Sequence, residues 1–211
     1  RIAVLDPVKV TVTNYPEGRV EYFPVANNPN DPEAGTREVP FTRELYIDRE
    51  DFAEVPPPKF HRLKPGGEVR LMGAYIVKLN EIVKDADGNV IELRCTADLE
   101  TGNGNPADGR KVKGTVHWLS ADHSKEAAVM LYDKLLTIAN TGDIPEDRTY
   151  DDYLNRESVK KLTGCRIEPS LADAKPGERF QFVRTGYFTP DSKNPGVFIR
   201  TVTLKDSYKP Q

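Results

Sequence analysis

The chain has 211 residues, with 30 Lys and Arg against 33 Asp and Glu, 17 Pro, 15 Gly and 2 Cys. Two cysteines exclude a disulfide-stapled scaffold and a four-thiolate zinc site, and no apolar run approaches the roughly 18 residues that a membrane span needs. The formal net charge of −3 argues against a non-specific nucleic-acid binder, which usually carries a broad positive field. We therefore expect a cytoplasmic globular protein of one or two domains, monomeric and without a membrane segment.

The sequence begins with Arg1 rather than Met. Valines and leucines follow at once, without the charged region, apolar region and cleavage site of a signal peptide. We therefore expect the chain to be part of a longer protein.

Alternating apolar residues predict β-strands along most of the chain. In chain order, these strands are predicted at residues 8–12, 69–79, 90–97, 112–119, 180–188 and 197–204. Asp87-Gly88 tolerates the positive φ of a tight turn and predicts a hairpin between the second and third of them. This pattern is typical of an all-β, barrel-like architecture.

The segments between these strands are less regular. Residues 125–136 fit a helix or a strand equally well, residues 155–162 favour a short helix, and residues 141–152 are typical of a loop. Pro56-Pro57-Pro58 supplies no backbone donors for a sheet, so it predicts a stiff extended linker and the best internal boundary.

The charge changes sign across the three prolines. Residues 31–54 carry eight acids and three bases, a balance of −5, whereas residues 59–73 carry four bases and one acid, a balance of +3. A second basic cluster follows at Arg110, Lys111 and Lys113. Each cluster alone fits a solvated surface. Phe60 and His61 lie among the first bases, however, and this mixture favours a groove for an anionic, single-stranded ligand.

Residues suited to catalysis or metal binding do not cluster along this sequence. His117 and His123 lack a zinc-like spacing, and Cys95 and Cys165 lie in no C-x-x-C motif, so we expect a hydrogen-bonded His117 and two buried thiols. There is no Walker A loop, and the Gly102–Gly104 region lacks the strand-to-helix context of a phosphate loop. The sequence therefore predicts binding, with no catalytic residue, metal or cofactor in this chain.

A resemblance to a known family adds to this interpretation. The chain closely resembles the C-terminal anticodon-binding region of bacterial glutaminyl-tRNA synthetases over essentially its whole length. The stretch Pro106-Ala-Asp-Gly-Arg-Lys-Val-Lys-Gly114 followed by Val116-His-Trp118 is the most specific match. The other matching stretches are residues 3–9, 39–42, 47–52, 68–71, 131–133, 180–182 and 186–188.

The resemblance implies a fold and a function. In the family, a distal β-barrel is inserted into a proximal one, which implies a proximal barrel over residues 1–57 plus 138–211 and a distal barrel over residues 58–137, with short helices in the connections. The full-length ligase uses ATP with Mg on an N-terminal catalytic domain, whose two motifs are absent here. This region would bind the tRNA(Gln) anticodon loop, which has C or U, then U, then G.

Family contacts can be transferred one residue at a time. Arg62 matches the arginine that recognises the third-position guanine, and a guanidinium can donate twice to O6 and N7 of that base. Arg70 matches an arginine near the first anticodon base, and Gln181 matches a glutamine at the middle uracil. The resemblance also implies contacts from Lys59, His61, Arg184 and Ser207 to the anticodon loop and from Asn30 to its stem.

The chain also departs from the family. Met72 stands where the best-known members have a second arginine, Val183 replaces an acid, and Lys59 and His61 replace a glutamine and a lysine. Two alternatives remain: the same region of an archaeal or eukaryotic type glutamyl-tRNA synthetase, or a β-barrel protein-interaction module.

Overall fold

A computed structural model describes residues 1–204, which contain β-strands and short 3-10 helices but no α-helix. The all-β prediction is confirmed, with two barrel-like sheets. The strands are β1 (Ala3–Val4), β2 (Pro7–Val12), β3 (Glu21–Ala26), β4 (Thr36–Phe41), β5 (Glu44–Asp48), β6 (Glu68–Leu71), β7 (Ile76–Lys84), β8 (Val90–Asp98), β9 (Thr115–Val116), β10 (Leu119–Ser120), β11 (Lys125–Tyr132), β12 (Val159–Ile167), β13 (Phe180–Phe182), β14 (Gly186–Pro190) and β15 (Val197–Thr203). The 3-10 helices are Pro32–Ala34, Arg49–Asp51, Thr141–Asp143, Tyr150–Tyr153 and Pro169–Leu171.

By its internal contacts the chain divides into two compact units. Unit 1 comprises Arg1–Glu126 and Gly164–Ala174, and unit 2 comprises Ala127–Thr163 and Lys175–Gln211. The barrel ranges 1–57 plus 138–211 and 58–137 stay a prediction. Strand β2 pairs with β5 on one side and in parallel with β8 on the other, so strands from both sides of the three prolines share one sheet.

Unit 1 contains a seven-stranded sheet in the order β10-β5-β2-β8-β7-β6-β9, together with the β3-β4 hairpin. Its core includes a cluster of five aromatic rings that meet mostly edge to face. The shortest centroid separations are 5.0 Å, from Phe41 to Tyr15 and from Phe41 to Trp118. Each such pair stabilises the fold by about 0.5–1.5 kcal/mol in addition to the hydrophobic contribution of the area that it buries. Phe23 and Tyr75 complete the cluster.

In unit 2 the strand order is β12-β11-β15-β14-β13, and β11 runs parallel to β15. Phe182, Phe188 and Phe198 form the aromatic part of its core, with Phe182 stacked on Phe188 at a centroid distance of 4.2 Å. Strand β12 begins in unit 2 and ends in unit 1, where its last residues pair with β1.

The strand pairing tests the predictions for three single segments. The Asp85–Asn89 hairpin is confirmed, with Gly88 at φ 83°. The ambiguous residues 125–136 form β11 and then an irregular segment, because β15 supplies a parallel partner for the strand. The predicted helix at residues 155–162 is wrong. Asn155 caps a turn through a bond from Glu157 N to its Oδ1 (3.1 Å), and the chain continues as β12.

Three predicted strands are shorter or interrupted in the structure. The predicted strand at residues 69–79 is split into β6 and β7, because Gly73 adopts φ 73° in a tight turn. Residues 180–188 form the β13-β14 hairpin, whose turn contains Arg184 at φ 63°. The predicted strand at residues 112–119 contributes only the short strand β9 and the first residue of β10. The predicted loop at 141–152 includes one 3-10 helix and most of a second.

Within residues 1–204, no helix is both long enough and apolar enough to cross a bilayer.

Candidate nucleic-acid interface

The two basic clusters of the sequence meet in one groove of unit 1, which we call the basic groove. It has a volume of about 420 Å³ and is lined by five bases and one acid. The bases come from the loop before β6, from β7 and from the loop before β9, and they are Arg62, Lys64, Lys78, Lys111 and Lys113. The acid, Glu68, is held by Arg110 at 3.1 Å. The groove therefore carries a concentrated positive charge in a chain whose net charge is negative.

Gly114 allows the two loops to approach each other. Gly114 is buried, and a Cβ built on it would overlap the backbone carbonyl oxygen of His61. Its own carbonyl accepts a hydrogen bond from Arg70 N at 2.8 Å, which fixes the loop against β6. The glycine that ends the Arg-Lys-Val-Lys-Gly motif therefore brings Lys111 and Lys113 to the same groove as Arg62.

Arg62 is half-exposed at the groove, and Glu50 and Asp51 contact its guanidinium. Its Nε lies 3.2 Å from Oδ1 of Asp51, a fully buried carboxylate, and its Nη1 donates to the carbonyl oxygen of Glu50 at 2.9 Å. Its Nη1 also lies 3.5 Å from Oε1 of Glu50, and Nη2 takes part in none of these three contacts. The guanidinium is therefore oriented in advance and keeps donors for a ligand, as recognition of a base edge requires.

Phe60 and His61 precede Arg62 and also line the groove. Phe60 is half-buried, so part of its ring packs against the protein and part lies open for stacking. Lys59 is exposed and adopts φ 63°. Lys59 and Arg184 are the two non-glycine residues within 1–204 that have positive φ, and both are predicted RNA contacts. Backbone strain of this kind is concentrated at functional sites.

Arg70 has a structural role that its sequence context does not reveal. Its Nη2 donates to the carbonyl oxygen of Gly104 at 2.7 Å, so its side chain holds the glycine-rich loop. Arg110, by contrast, is not available to bind a ligand. Its guanidinium contacts the carboxylates of Asp98, Asp108 and Glu68 at 2.7–3.1 Å, and these bonds raise its pKa further above the ordinary value of arginine.

Gln181, Arg184 and Asn30 are not among the residues that line the basic groove. Gln181 is exposed on β13, and Arg184 is exposed in the turn that follows it. The cross-strand partner of Gln181 is Tyr187, whose ring is 44% exposed. The alternation of β14 places this ring on the exposed face of the strand, so the sequence pattern could have revealed it. Asn30 is exposed in the β3-β4 connection, and Ser207 lies outside the described residues.

A larger cleft of about 750 Å³ in unit 1 has a different electrostatic character. Four bases and five acids line it. Most of them neutralise each other, as in the pairs Lys9–Glu44 and Arg43–Glu17, which both have distances of 2.6 Å. Because its charges compensate, this cleft lacks the positive field that an anionic ligand requires. We therefore regard the smaller basic groove as the candidate site.

His117 and the two cysteines are structural residues. The Nε2 of buried His117 lies 2.9 Å from Oδ2 of Asp48, which confirms the prediction of a hydrogen-bonded ring. Both cysteines are buried free thiols, also as predicted. Burial raises the pKa of Cys95 to about 12 and that of Cys165 to about 11. Residues 1–204 contain no group of three or more His, Cys, Asp or Glu that could hold a metal ion.

Two residues at or beside the basic groove were not identified from the sequence. Lys78 lies alone in an alternating strand, where only the pairing of β7 with β6 brings it beside the other bases. Asp51 belongs to the acidic segment before the prolines, and no local pattern distinguishes it from its exposed neighbours. Its burial and its contact with Arg62 depend on the tertiary structure.

Comparison with known proteins identifies the family of the chain. Two family models match, both described as tRNA synthetases class I (E and Q), anti-codon binding domain, over residues 1–98 and 115–191. Glutamine–tRNA ligases of Pseudomonas syringae pv. tomato, Pseudomonas aeruginosa (strain LESB58) and Xanthomonas axonopodis pv. citri are 51%, 52% and 50% identical to the chain. The alignments cover 98–99% of this chain but 36–38% of those relatives, so the chain spans little more than a third of their length. The chain belongs to the family of anticodon-binding domains of class I tRNA synthetases for E and Q.

Proposed function

We propose that this chain is the anticodon-binding region of a glutamine–tRNA ligase and binds the anticodon loop of tRNA(Gln). The relatives that align over nearly the whole chain carry that name. Because the chain corresponds to about 37% of their length, the catalytic domain and the site for ATP and Mg would lie in the remainder of such a protein. Within the ligase, which acts in the cytoplasm, this region would confer specificity for the tRNA without contributing a reacting group.

The observation that supports this proposal most directly is the arrangement around Arg62. A buried carboxylate orients its guanidinium at the edge of the basic groove, beside the half-buried ring of Phe60. A guanidinium with free donors is suited to O6 and N7 of a guanine, the base at the third anticodon position of tRNA(Gln). The surrounding positive charge favours the approach of an RNA strand.

Gln181, Arg184 and Tyr187 form a second group on unit 2 that we assign to the same RNA. Gln181 and Tyr187 are cross-strand neighbours, so an amide and an exposed ring lie side by side. An amide can pair with the edge of the middle uracil, and a ring can stack on a base. Lys59, His61, Arg70, Ser207 and Asn30 are proposed as further contacts with the anticodon loop or its stem.

The experiment is a binding assay with tRNA(Gln) transcripts that differ only at the third anticodon position. We expect Arg62→Ala to weaken binding of the transcript with G by about 1–3 kcal/mol and to weaken the transcript with A much less. Arg94→Ala is the matched control, because Arg94 is similarly exposed but forms its ion pairs in the charge-compensated cleft.

Three outcomes would contradict the proposal. Equal losses on both transcripts would contradict base recognition by Arg62. A preference for C at the third position would favour the glutamate-specific alternative. Affinity that does not depend on the anticodon would favour a protein-interaction module.

A further inference from the structure

The bases of unit 1 fall into two groups. Most arginines, together with Lys9 and Lys84, form a salt bridge with a carboxylate of the same unit. Within the described residues, seven bases of unit 1 have no such partner, and four of them line the basic groove: Lys64, Lys78, Lys111 and Lys113. Two others, Lys59 and Arg70, are already proposed as RNA contacts. Lys125, which begins β11, is the seventh.

Because the lysines of the groove have no carboxylate partner in unit 1, their charges are available to an external anion. The one acid in the groove, Glu68, lies directly across the strand pair from Lys78, yet its carboxylate is bound by Arg110. Arg110 itself is fully occupied by three carboxylates, so it neutralises the acid and leaves the lysines unpaired. Clustering like charges costs free energy unless a ligand of opposite charge compensates them.

We propose that Lys64, Lys78, Lys111 and Lys113 bind the phosphates of the RNA strand whose base Arg62 contacts. This inference rests on the proposed function. An ammonium group is a point charge on a flexible stem and lacks the planar fork that distinguishes one base from another. Contacts of lysine with phosphate position the strand, whereas the oriented guanidinium of Arg62 specifies the base.

Salt dependence separates these two roles. The affinity of the chain for an anticodon stem–loop RNA of tRNA(Gln) would be measured by fluorescence anisotropy at several KCl concentrations. Each lysine that neutralises a phosphate of a single strand contributes about 0.7 to the slope of log K against log salt concentration. We therefore expect the double variant Lys111→Gln with Lys113→Gln to reduce that slope by about 1.4, and Lys78→Gln to reduce it by about 0.7.

The same variants should be insensitive to the anticodon. We expect each substitution to lower the affinity by about 3- to 10-fold at low salt, equally for RNA with G and with A at the third position. Lys125→Gln removes the same charge from the same unit outside the groove, and it should leave the slope unchanged. Thermal unfolding of each variant checks that it remains folded; all four lysines are exposed, so little destabilisation is expected.

The result that overturns the inference is an unchanged salt slope in the folded double variant. A loss confined to RNA with G at the third position would also overturn it, because the lysines would then act on the base. Failure of the proposed function is a different result. In that case the unsubstituted chain would bind both RNAs equally, while the salt slopes would still report whether the lysines contact phosphates.

Discussion

At the scale of single residues, Asp51 determines the direction of the Arg62 side chain. Asp51 is fully buried at the end of a 3-10 helix, and its Oδ1 lies 3.2 Å from the Nε of Arg62. Holding a long side chain in one orientation before binding removes part of the entropy cost of forming the complex. In the proposed interface, Asp51 would therefore be a positioning residue, which acts on RNA through the guanidinium of Arg62.

We expect Asp51→Asn to reduce discrimination between G and A at the third anticodon position. An amide is uncharged and holds the guanidinium less firmly, so the preference for G should fall while general RNA affinity persists. The measurement is the ratio of dissociation constants for the two transcripts, combined with a double-mutant cycle. The coupling between Asp51 and Arg62 should be about 0.5–3 kcal/mol. If Asp51→Asn has the same effect on discrimination in an Arg62→Ala background, Asp51 does not act through Arg62.

At the scale of elements, the basic groove depends on two loops that a single glycine allows to touch. Strands β6, β7 and β9 supply the frame, because β6 pairs antiparallel with β7 and parallel with β9. The loops before β6 and before β9 then meet where His61 approaches Gly114. No side chain fits there, so the close approach of the two backbones constrains this position to glycine.

We expect Gly114→Ala to destabilise the chain by about 1–3 kcal/mol and to lower its RNA affinity. The added methyl group would overlap the carbonyl oxygen of His61, so one loop must move and Lys111 and Lys113 would be displaced from Arg62. Urea unfolding and RNA titration would measure the two effects. Gly142→Ala is a control, since its added Cβ would come no closer than 3.3 Å to a side-chain oxygen of Asn140. Unchanged stability and affinity in Gly114→Ala would contradict this account of the groove.

At the scale of the whole molecule, Glu168 joins segments of unit 1 that are far apart in sequence. Its buried carboxylate accepts two hydrogen bonds from Arg37, both of 2.8 Å, and one from Ile2 N at 2.9 Å. It also accepts a hydrogen bond from Ser170. Burial alone would raise the pKa of Glu168, but the bonds from Arg37 and Ser170 outweigh it and lower the pKa below the ordinary value. Glu168 lies 166 positions after Ile2 and 131 positions after Arg37, so one carboxylate connects three distant segments of the chain.

The hydrogen bonds accepted by Glu168 predict that the stability of the folded chain depends on pH in the acid range. Because the pKa of Glu168 is lower in the folded chain than in the unfolded one, its stabilising contribution is complete above the unfolded pKa, about 4.3. That contribution is lost as the pH falls through the folded pKa. We expect Glu168→Gln to lower the free energy of unfolding by about 3–5 kcal/mol at pH 7, since the largely buried guanidinium of Arg37 would lose its carboxylate partner.

The pH dependence distinguishes this cluster from simple loss of packing. In Glu168→Gln, the free energy of unfolding should fall less steeply between pH 5 and pH 3 than in the unsubstituted chain, as measured by urea titration. Glu126→Gln serves as a control, because Glu126 is exposed and meets Arg166 only at 3.9 Å. An equally steep fall in Glu168→Gln would show that other carboxylates cause the acid sensitivity.

The sequence by itself determined the fold class and the family of the protein. Alternating residues predicted most strands, the absence of clustered catalytic residues predicted binding, and the specific motif around Pro106-Ala-Asp-Gly indicated the family. These features depend on short-range periodicity and on residue type, which are visible along the chain. Charge balance also located the basic segments, although it could not distinguish Arg110, which is bound by acids, from Lys111 and Lys113, which are unpaired.

The tertiary structure alone decided which residues meet. The pairing of β2 with β8 combined the two sides of the prolines in one sheet, and the pairing of β6 with β7 brought Lys78 to the basic groove. Burial of Asp51 likewise depends on contacts outside its own segment. Such contacts are set by strand register and packing over many residues, so local sequence pattern does not encode them.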